Sequence, residues 1–309
     1  MPKAVQLHQY GGLEVLNVEE VLQPTPAAGQ VLVRVKAAGI NPGEASIRKG
    51  VFKDTWPSSF PSGQGSDFAG VVEAVGEGVS STQPGAEVIG FTHNRASQAQ
   101  FVVVPQAQVI PKPTNIPWEV AGALFVAGTT AYAAVRAVDV KEGDTVVVSG
   151  ASGGVGTLAV QLAKLKGARV LGIASPARAE WLAAHGVELV PYGEDLKERL
   201  QTAANGALDA FIDTHGQGYV KLAVELGISR ERINTIIDFA AAEQYGIKAE
   251  GNAVGGRADV LAELVGLIAD GQLDVPIAHT YPLDKVQEAY RELATGHTLG
   301  KIVLIPGEG

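Results

Sequence analysis

Val146-Val147-Val148-Ser149-Gly150-Ala151-Ser152-Gly153-Gly154-Val155-Gly156 decides the fold of this chain. An apolar β-branched run enters a glycine-rich turn, and Val155, Leu158, Ala159, Leu162 and Leu165 then repeat at helical spacing. Strand, glycine turn and helix in this order place backbone N–H groups and a helix N-terminus against a pyrophosphate. Gly153 lets backbone approach the phosphates, and Gly156 lets helix and strand pack closely; the first glycine of the usual G-x-G-x-x-G is Ala151 here. Ala151, Ser152, Gly153, Gly154, Val155 and Gly156 are therefore the expected dinucleotide cradle. The plainer alternative is a glycine-rich loop in an ordinary α/β domain.

The following strand, Ala168–Ser175, bears on which dinucleotide. An NAD site usually carries an acid near the end of this strand, about 20 residues past the glycines, to bind the ribose hydroxyls. Ser175-Pro176-Ala177-Arg178 stands there instead. A small hydroxyl and a guanidinium suit a 2′-phosphate that an acid would repel, so the expected cofactor is NADPH. Arg178 could otherwise be a solvated helix residue, and Glu180 would reverse the reading if it stood at the strand end.

Composition sets outer limits. The 309 residues suffice for two domains with developed cores. A net charge of −9 argues against a nucleic-acid backbone or an anionic membrane as partner. With no cysteine, disulfides and thiolate metal sites are impossible, which fits a reducing cytoplasm, the expected location. No apolar signal-peptide core follows Met1-Pro2-Lys3, and no run approaches the ~20 apolar residues of a membrane span.

The two halves read differently. Up to about residue 115 the signals are short strands and turns: Ala4–His8, Val31–Lys36, Gly70–Val75, Glu87–Phe91 and Phe101–Val104. From Pro117 onward helices alternate with strands, implying a doubly wound parallel sheet. Strands are expected at 145–149, 168–174, 187–190, 208–212 and 233–237. Helices are expected at 117–137, 153–167, 177–185, 194–203, 217–226 and 257–270. Gly300-Lys301-Ile302-Val303-Leu304-Ile305 is β-like again.

Ala38-Gly39-Ile40-Asn41-Pro42, Phe60-Pro61-Ser62-Gly63-Gln64-Gly65, Gly70-Val71-Val72, Val75-Gly76, the glycine turn and Gly300–Leu304 together resemble the medium-chain dehydrogenase/reductases. The resemblance is specifically to their zinc-independent, zeta-crystallin-like quinone oxidoreductase branch. It implies an α/β fold: a GroES-like β-barrel domain (1–116 and 275–309) plus a Rossmann doubly wound parallel-sheet domain (117–274), with the active site in the cleft between them. Zinc-dependent relatives carry ligands at positions that look like Asn41, Ser66-Asp67 and Val126, and none of Asn41, Ser66 or Val126 can complete a zinc site of nitrogen and sulfur ligands. The six histidines show no metal-ligand spacing either, so no metal is expected.

Without a Lewis acid the substrate must itself accept hydride readily, as quinones and α,β-unsaturated carbonyls do. The resemblance implies that Asn41 lies beside the nicotinamide ribose, that Thr130 and Phe239 lie near the nicotinamide, that Arg178 meets the 2′-phosphate, and that Tyr192 packs by the adenosine phosphate. Lys301 could reach the cofactor; otherwise it is a solvated edge-strand lysine. Asn41, Ser46 and Thr130 are the candidate catalytic residues. Two tyrosines that often line the family's substrate site read Ser46 and Phe52 here, which loses the phenol donors. The expectation is an NADPH-dependent, metal-free oxidoreductase acting on a small quinone or enone. The alternatives are a non-catalytic NADPH-binding protein and an enoyl reductase acting on a carrier-bound acyl chain. By family analogy it pairs as a homodimer, with Arg232–Asp238 as the edge strand in the interface, because Ile233, Ile236 and Ile237 are too apolar for a bare edge.

Overall fold

The computed structural model describes residues 1–307. Its strands are β1 (Lys3–Gln6), β2 (Asn17–Glu20), β3 (Gln30–Gly39), β4 (Asp67–Val75), β5 (Glu87–Phe91), β6 (Phe101–Pro105) and β7 (Val109–Pro111). They continue with β8 (Thr145–Ser149), β9 (Arg169–Ala174), β10 (Glu188–Pro191), β11 (Ala210–Asp213), β12 (Ile233–Thr235), β13 (Ile277–Pro282) and β14 (Lys301–Ile305). The chain divides into two compact units. One comprises Met1–Val126, Arg257–Asp270 and the segment from Ile277 onward; the other comprises Ala127–Gly256 and Gly271–Pro276. Sequence placed the divisions at 116/117 and 274/275. Here the first change of unit falls at 126/127, and the helix Ala258–Ala269 groups with the first unit.

In the first unit β3 is the spine. One of its edges pairs β4 along its length; the other pairs β6 over Gln30–Arg34 and β14 over Ala38–Gly39. Val31, Val33 and Val35 alternate into a core with Phe68, Val72, Val88, Val102 and Val104, as period-two patterning requires. The end of β3 runs against a break in the expected helix 117–137, which forms as Trp118–Ala121 and Phe125–Ala137. The two backbones touch there: Gly39 N–H donates to the Gly122 carbonyl at 2.7 Å. A Cβ on Gly39 would lie 2.7 Å from the Ala123 Cα, and one on Gly122 would lie 2.5 Å from the Ala37 carbonyl oxygen. Only glycine permits that approach.

The second unit holds a five-stranded parallel sheet in the order β10-β9-β8-β11-β12. Its strands are near-continuous apolar runs because helices cover parallel sheets; Val147, Leu171, Ile173, Phe211 and Ile233 are all buried. The order reverses between β8 and β11, and the C-terminal ends of all five strands form one edge, where ligands bind in such sheets. Among the described residues no helix is long and apolar enough to cross a membrane.

At β12 the strand is shorter than the expected 233–237. The strand is three residues long, and its outer edge is not bare. Lys248 bridges Asn234 in parallel, Thr235 N–H donates to the Lys248 carbonyl at 3.0 Å, and Lys248 N–H donates to the Ile233 carbonyl at 3.1 Å. Asn234 closes the patch by exchanging two hydrogen bonds with Glu250. Ile233 is fully buried inside its own unit. Ile233 therefore serves the chain's own core, while Ile236 is half-buried and Ile237 is 49% exposed.

Candidate active site

The glycine turn leaves β8 and enters the helix Gly154–Leu165, with Gly153 as N-cap. The left-handed residue of this turn is Gly150, at φ +60°, one position before Ala151. Ala151 is fully buried and donates its N–H to the Ile173 carbonyl at 3.1 Å, tying the turn to β9. Gly156 is the tightest point: a Cβ there would lie 2.0 Å from the Gly150 carbonyl oxygen. The glycine thus admits the turn's own backbone beneath the helix, while at Gly153 the nearest atom to an added Cβ is 3.4 Å away. The first helix-type bond runs from Thr157 N–H to the Gly153 carbonyl, so the N–H groups of Gly154, Val155 and Gly156 have no backbone acceptor among the described residues. Donors and dipole together make an anion-binding end.

Ser175 follows β9 and caps a short helical turn, its Oγ accepting from Ala177 N–H at 3.3 Å. Arg178 ends that turn on the same sheet edge as the glycines. Glu180 lies on the exposed face of the next helix, past the strand end, and does not take the ribose-acid position. Tyr192 follows β10 on this edge and is 50% exposed. Phe239 begins the helix after β12 and is 54% exposed.

Sequence reasoning missed what holds this edge together. Asp213, fully buried at the end of β11, accepts from Ser149 Oγ at 2.6 Å, Thr235 Oγ1 at 2.8 Å, Gly216 N–H at 2.9 Å and His215 N–H at 3.1 Å. One carboxylate joins the ends of β8, β11 and β12 around the point where strand order reverses. The only sequence signal was an acid closing an apolar strand in Phe211-Ile212-Asp213. Thr130 is buried on the helix Phe125–Ala137, its methyl facing Gly251, and the neighbouring Thr129 Oγ1 accepts from Asn252 Nδ2 at 2.7 Å.

In the first unit Asn41 and Ser46 sit on one helix, Pro42–Arg48, with Asn41 as its N-cap in a capping box with Glu44. Ser46 is half-buried. Asn41 is buried, and its side chain is fully engaged: Oδ1 accepts from Lys301 Nζ at 2.5 Å, and Nδ2 donates to Asp67 Oδ2 at 3.1 Å and Glu44 Oε1 at 3.2 Å. Lys301 is not a solvated edge lysine. It lies on an inner strand between β13 and β3, is 4% exposed, and also donates to the Ile40 carbonyl at 3.0 Å. Asp67 Oδ1 accepts from Val126 N–H at 2.9 Å. Glu44 Oε2 accepts from Tyr290 Oη at 2.5 Å, and Gln98 and Gln64 in turn donate to that phenol oxygen.

These groups titrate away from their ordinary values. Burial pushes the Glu44 carboxyl up, and the Asp67 charge adds to the push. Burial also raises Asp67, with the Lys301 ammonium drawing it back, and pulls Lys301 down against the two carboxylates. Burial, then Glu44, holds the Tyr290 phenol well above its usual range.

Sequence comparison matches residues 27–114 to the alcohol dehydrogenase GroES-like domain, and residues 154–236 and 201–304 to the zinc-binding dehydrogenase description. The chain is 31% identical over 318 residues to the 2-methylene-furan-3-one reductase of Solanum lycopersicum, covering 98% of this chain and 79% of that protein. It is equally 31% identical over 318 residues, with the same shares of 98% and 79%, to the chloroplastic NADPH-dependent alkenal/one oxidoreductase of Arabidopsis thaliana. Among solved structures, the quinone oxidoreductase of Escherichia coli complexed with NADPH superposes with a TM-score of 0.86 at 27% identity, covering 98% of this chain and all of that one (100%).

Proposed function

This chain belongs to the medium-chain dehydrogenase/reductase family, in its quinone oxidoreductase branch, and from that premise we propose that it is an NADPH-dependent, metal-free reductase of small quinones or α,β-unsaturated carbonyls. The observation that carries this reading is the C-terminal edge of the parallel sheet. There a helix N-terminus with open N–H donors, a cation at the end of β9 and an exposed aromatic at the end of β10 share one side of the sheet, with no acid at the ribose position.

These residues fit the dinucleotide. The N–H groups of Gly154, Val155 and Gly156 would hold the pyrophosphate, Ser175 and Arg178 the 2′-phosphate, and Tyr192 the adenosine side. When bound, the cofactor supplies a hydride to the acceptor. The chain's task is to orient it and stabilise the charge that develops on the acceptor oxygen. Ser46, half-buried on the helix that Asn41 caps, is the hydroxyl proposed to donate to that oxygen, and Asn41 and Thr130 are the other residues proposed to act in the reaction.

Zinc, which one family description implies, does not suit the residues present. The sequence has no cysteine, and among the described residues no group of three or more His, Cys, Asp or Glu side chains could hold a metal ion. The Asp67 carboxylate is already committed to Asn41, Val126 N–H and the Lys301 ammonium.

The test is NADPH oxidation, followed at its absorbance band, across small quinones, enones, and saturated aldehydes and ketones. Turnover with the first two classes and none with the saturated carbonyls is expected, because an isolated carbonyl needs its forming alkoxide stabilised by a Lewis acid or proton relay. Efficient reduction of a saturated ketone by metal-free protein overturns the reaction class. NADPH binding with no oxidation by any acceptor would leave a binding protein.

A further inference from the structure

The charges buried around Asn41 form a site whose occupant is part of the chain. The Lys301 ammonium faces oxygen on every side that the structure records: the Ile40 carbonyl at 3.0 Å, Asn41 Oδ1 at 2.5 Å and Asp67 Oδ2 at 3.8 Å. Carbonyl, amide and carboxylate oxygens are the donor set of a hard cation. The site is dry, with Lys301 4% and Asp67 1% exposed. Its charge also sets an orientation. The Asn41 amide turns its oxygen to the ammonium and its NH2 to two carboxylates, Asp67 and Glu44. Reversing the amide would set NH2 against NH3⁺ and oxygen against both carboxylates, so the cation selects one of the two positions.

We propose that Lys301 is a built-in cation: its ammonium occupies an all-oxygen cation site formed by Ile40, Asn41 and Asp67, and its charge, rather than its bulk, fixes the Asn41 amide and with it the first turn of the helix Pro42–Arg48. Lys301 is then a positioning residue, acting on Ser46 only through Asn41 and that helix. The role is independent of which acceptor the chain reduces. It also accounts for a buried carboxylate and N-cap amide held in register by the chain's own cation.

A cation can be supplied from outside once the tethered one is removed. Lys301→Ala empties the site and opens the path its methylenes filled, whereas Lys301→Met removes the charge but keeps the bulk. Thermal midpoints are measured for both variants and the parent in rising ammonium or methylammonium chloride, against tetramethylammonium chloride at equal ionic strength. Both variants are expected to melt lower than the parent. Ammonium and methylammonium recover most of the loss in Lys301→Ala and none in Lys301→Met, and tetramethylammonium, too large for the site, recovers nothing in either. Loss in Lys301→Ala without any response to the small cations overturns the proposal, as does a parent-like midpoint in Lys301→Met. If Lys301→Ala does not fold, the pair Lys301→Met and Lys301→Met/Asp67→Asn decides. Removing the second charge should raise the midpoint above that of the single variant, and a midpoint no higher overturns the charge assignment.

Discussion

Glu44 spends its acceptor capacity on five donors: Asn41 N–H, Asn41 Nδ2, Ser66 N–H, Tyr290 Oη and Gln98 Nε2. Its carboxyl is nevertheless raised, because burial and the neighbouring Asp67 charge penalise ionisation. The sign follows. In the unfolded chain Glu44 ionises near 4.5, while in the folded chain it keeps its proton to higher pH. The folded state therefore binds more protons above that value, and stability declines as pH rises through the window. Asp67 contributes with the same sign. Glu44→Gln should lower stability by ~1–3 kcal/mol at low pH, since an accepting oxygen becomes a donor. It should also flatten the decline, which urea midpoints from pH 4 to 8 would read. At the other unit, Arg178→Ala should weaken NADPH binding by roughly 10- to 150-fold, the worth of a charge-assisted contact, and leave NADH nearly unchanged. Equal losses for both cofactors in fluorescence titrations would make Arg178 a structural residue. Arg178 could be read from the sequence because its signal is local, a cation where an acid is usual. Lys301 could not: its partner Asn41 is 260 residues away, and a lysine in an apolar strand reads as an edge.

Elements repeat that contrast. β3, β8 and β9 were legible because their apolar patterns are long and both neighbours are strands. β7, three residues, and β13, half-exposed through Ala278-His279-Thr280, carry no pattern and exist because β5 and β14 offer them an edge. The glycine turn was legible in kind but displaced by one residue, since sequence spacing does not reveal that the left-handed position is Gly150. Gly156→Ala should force the helix Gly154–Leu165 off the turn, because its Cβ meets a carbonyl oxygen at 2.0 Å. At least a tenfold loss of NADPH affinity is expected, together with a lowered melting midpoint. Asp213→Ala leaves two hydroxyls and two N–H groups without their acceptor at the ends of three strands. Each orphaned group costs ~1–3 kcal/mol, so a loss of roughly 3 kcal/mol or more is expected in denaturant titration.

At the scale of the whole molecule the first unit is assembled from chain segments that are far apart. Tyr290 reaches Glu44 and Gln98, Lys301 reaches Asn41, and Ile302 and Leu304 pack with Val5, Leu7 and Ile40. Residues 1–126 expressed alone should therefore lack fixed tertiary structure by near-ultraviolet circular dichroism. Joining residues 257–309 to them through a short flexible linker should restore it; a folded 1–126 fragment would contradict the dependence. The same connectivity imposes a schedule on synthesis. Glu44 and Asp67 leave the ribosome long before Lys301 does, and at 5–20 residues per second the wait from residue 126 to residue 301 is roughly 10 to 35 s. For that interval the nascent chain carries two acids meant for an interior whose cation has not been translated, and a β3 end whose last partner does not yet exist. Folding of this unit must wait for Lys301, the parallel-sheet unit can form first, and the growing chain is a client for whatever shields open strand edges in the cell.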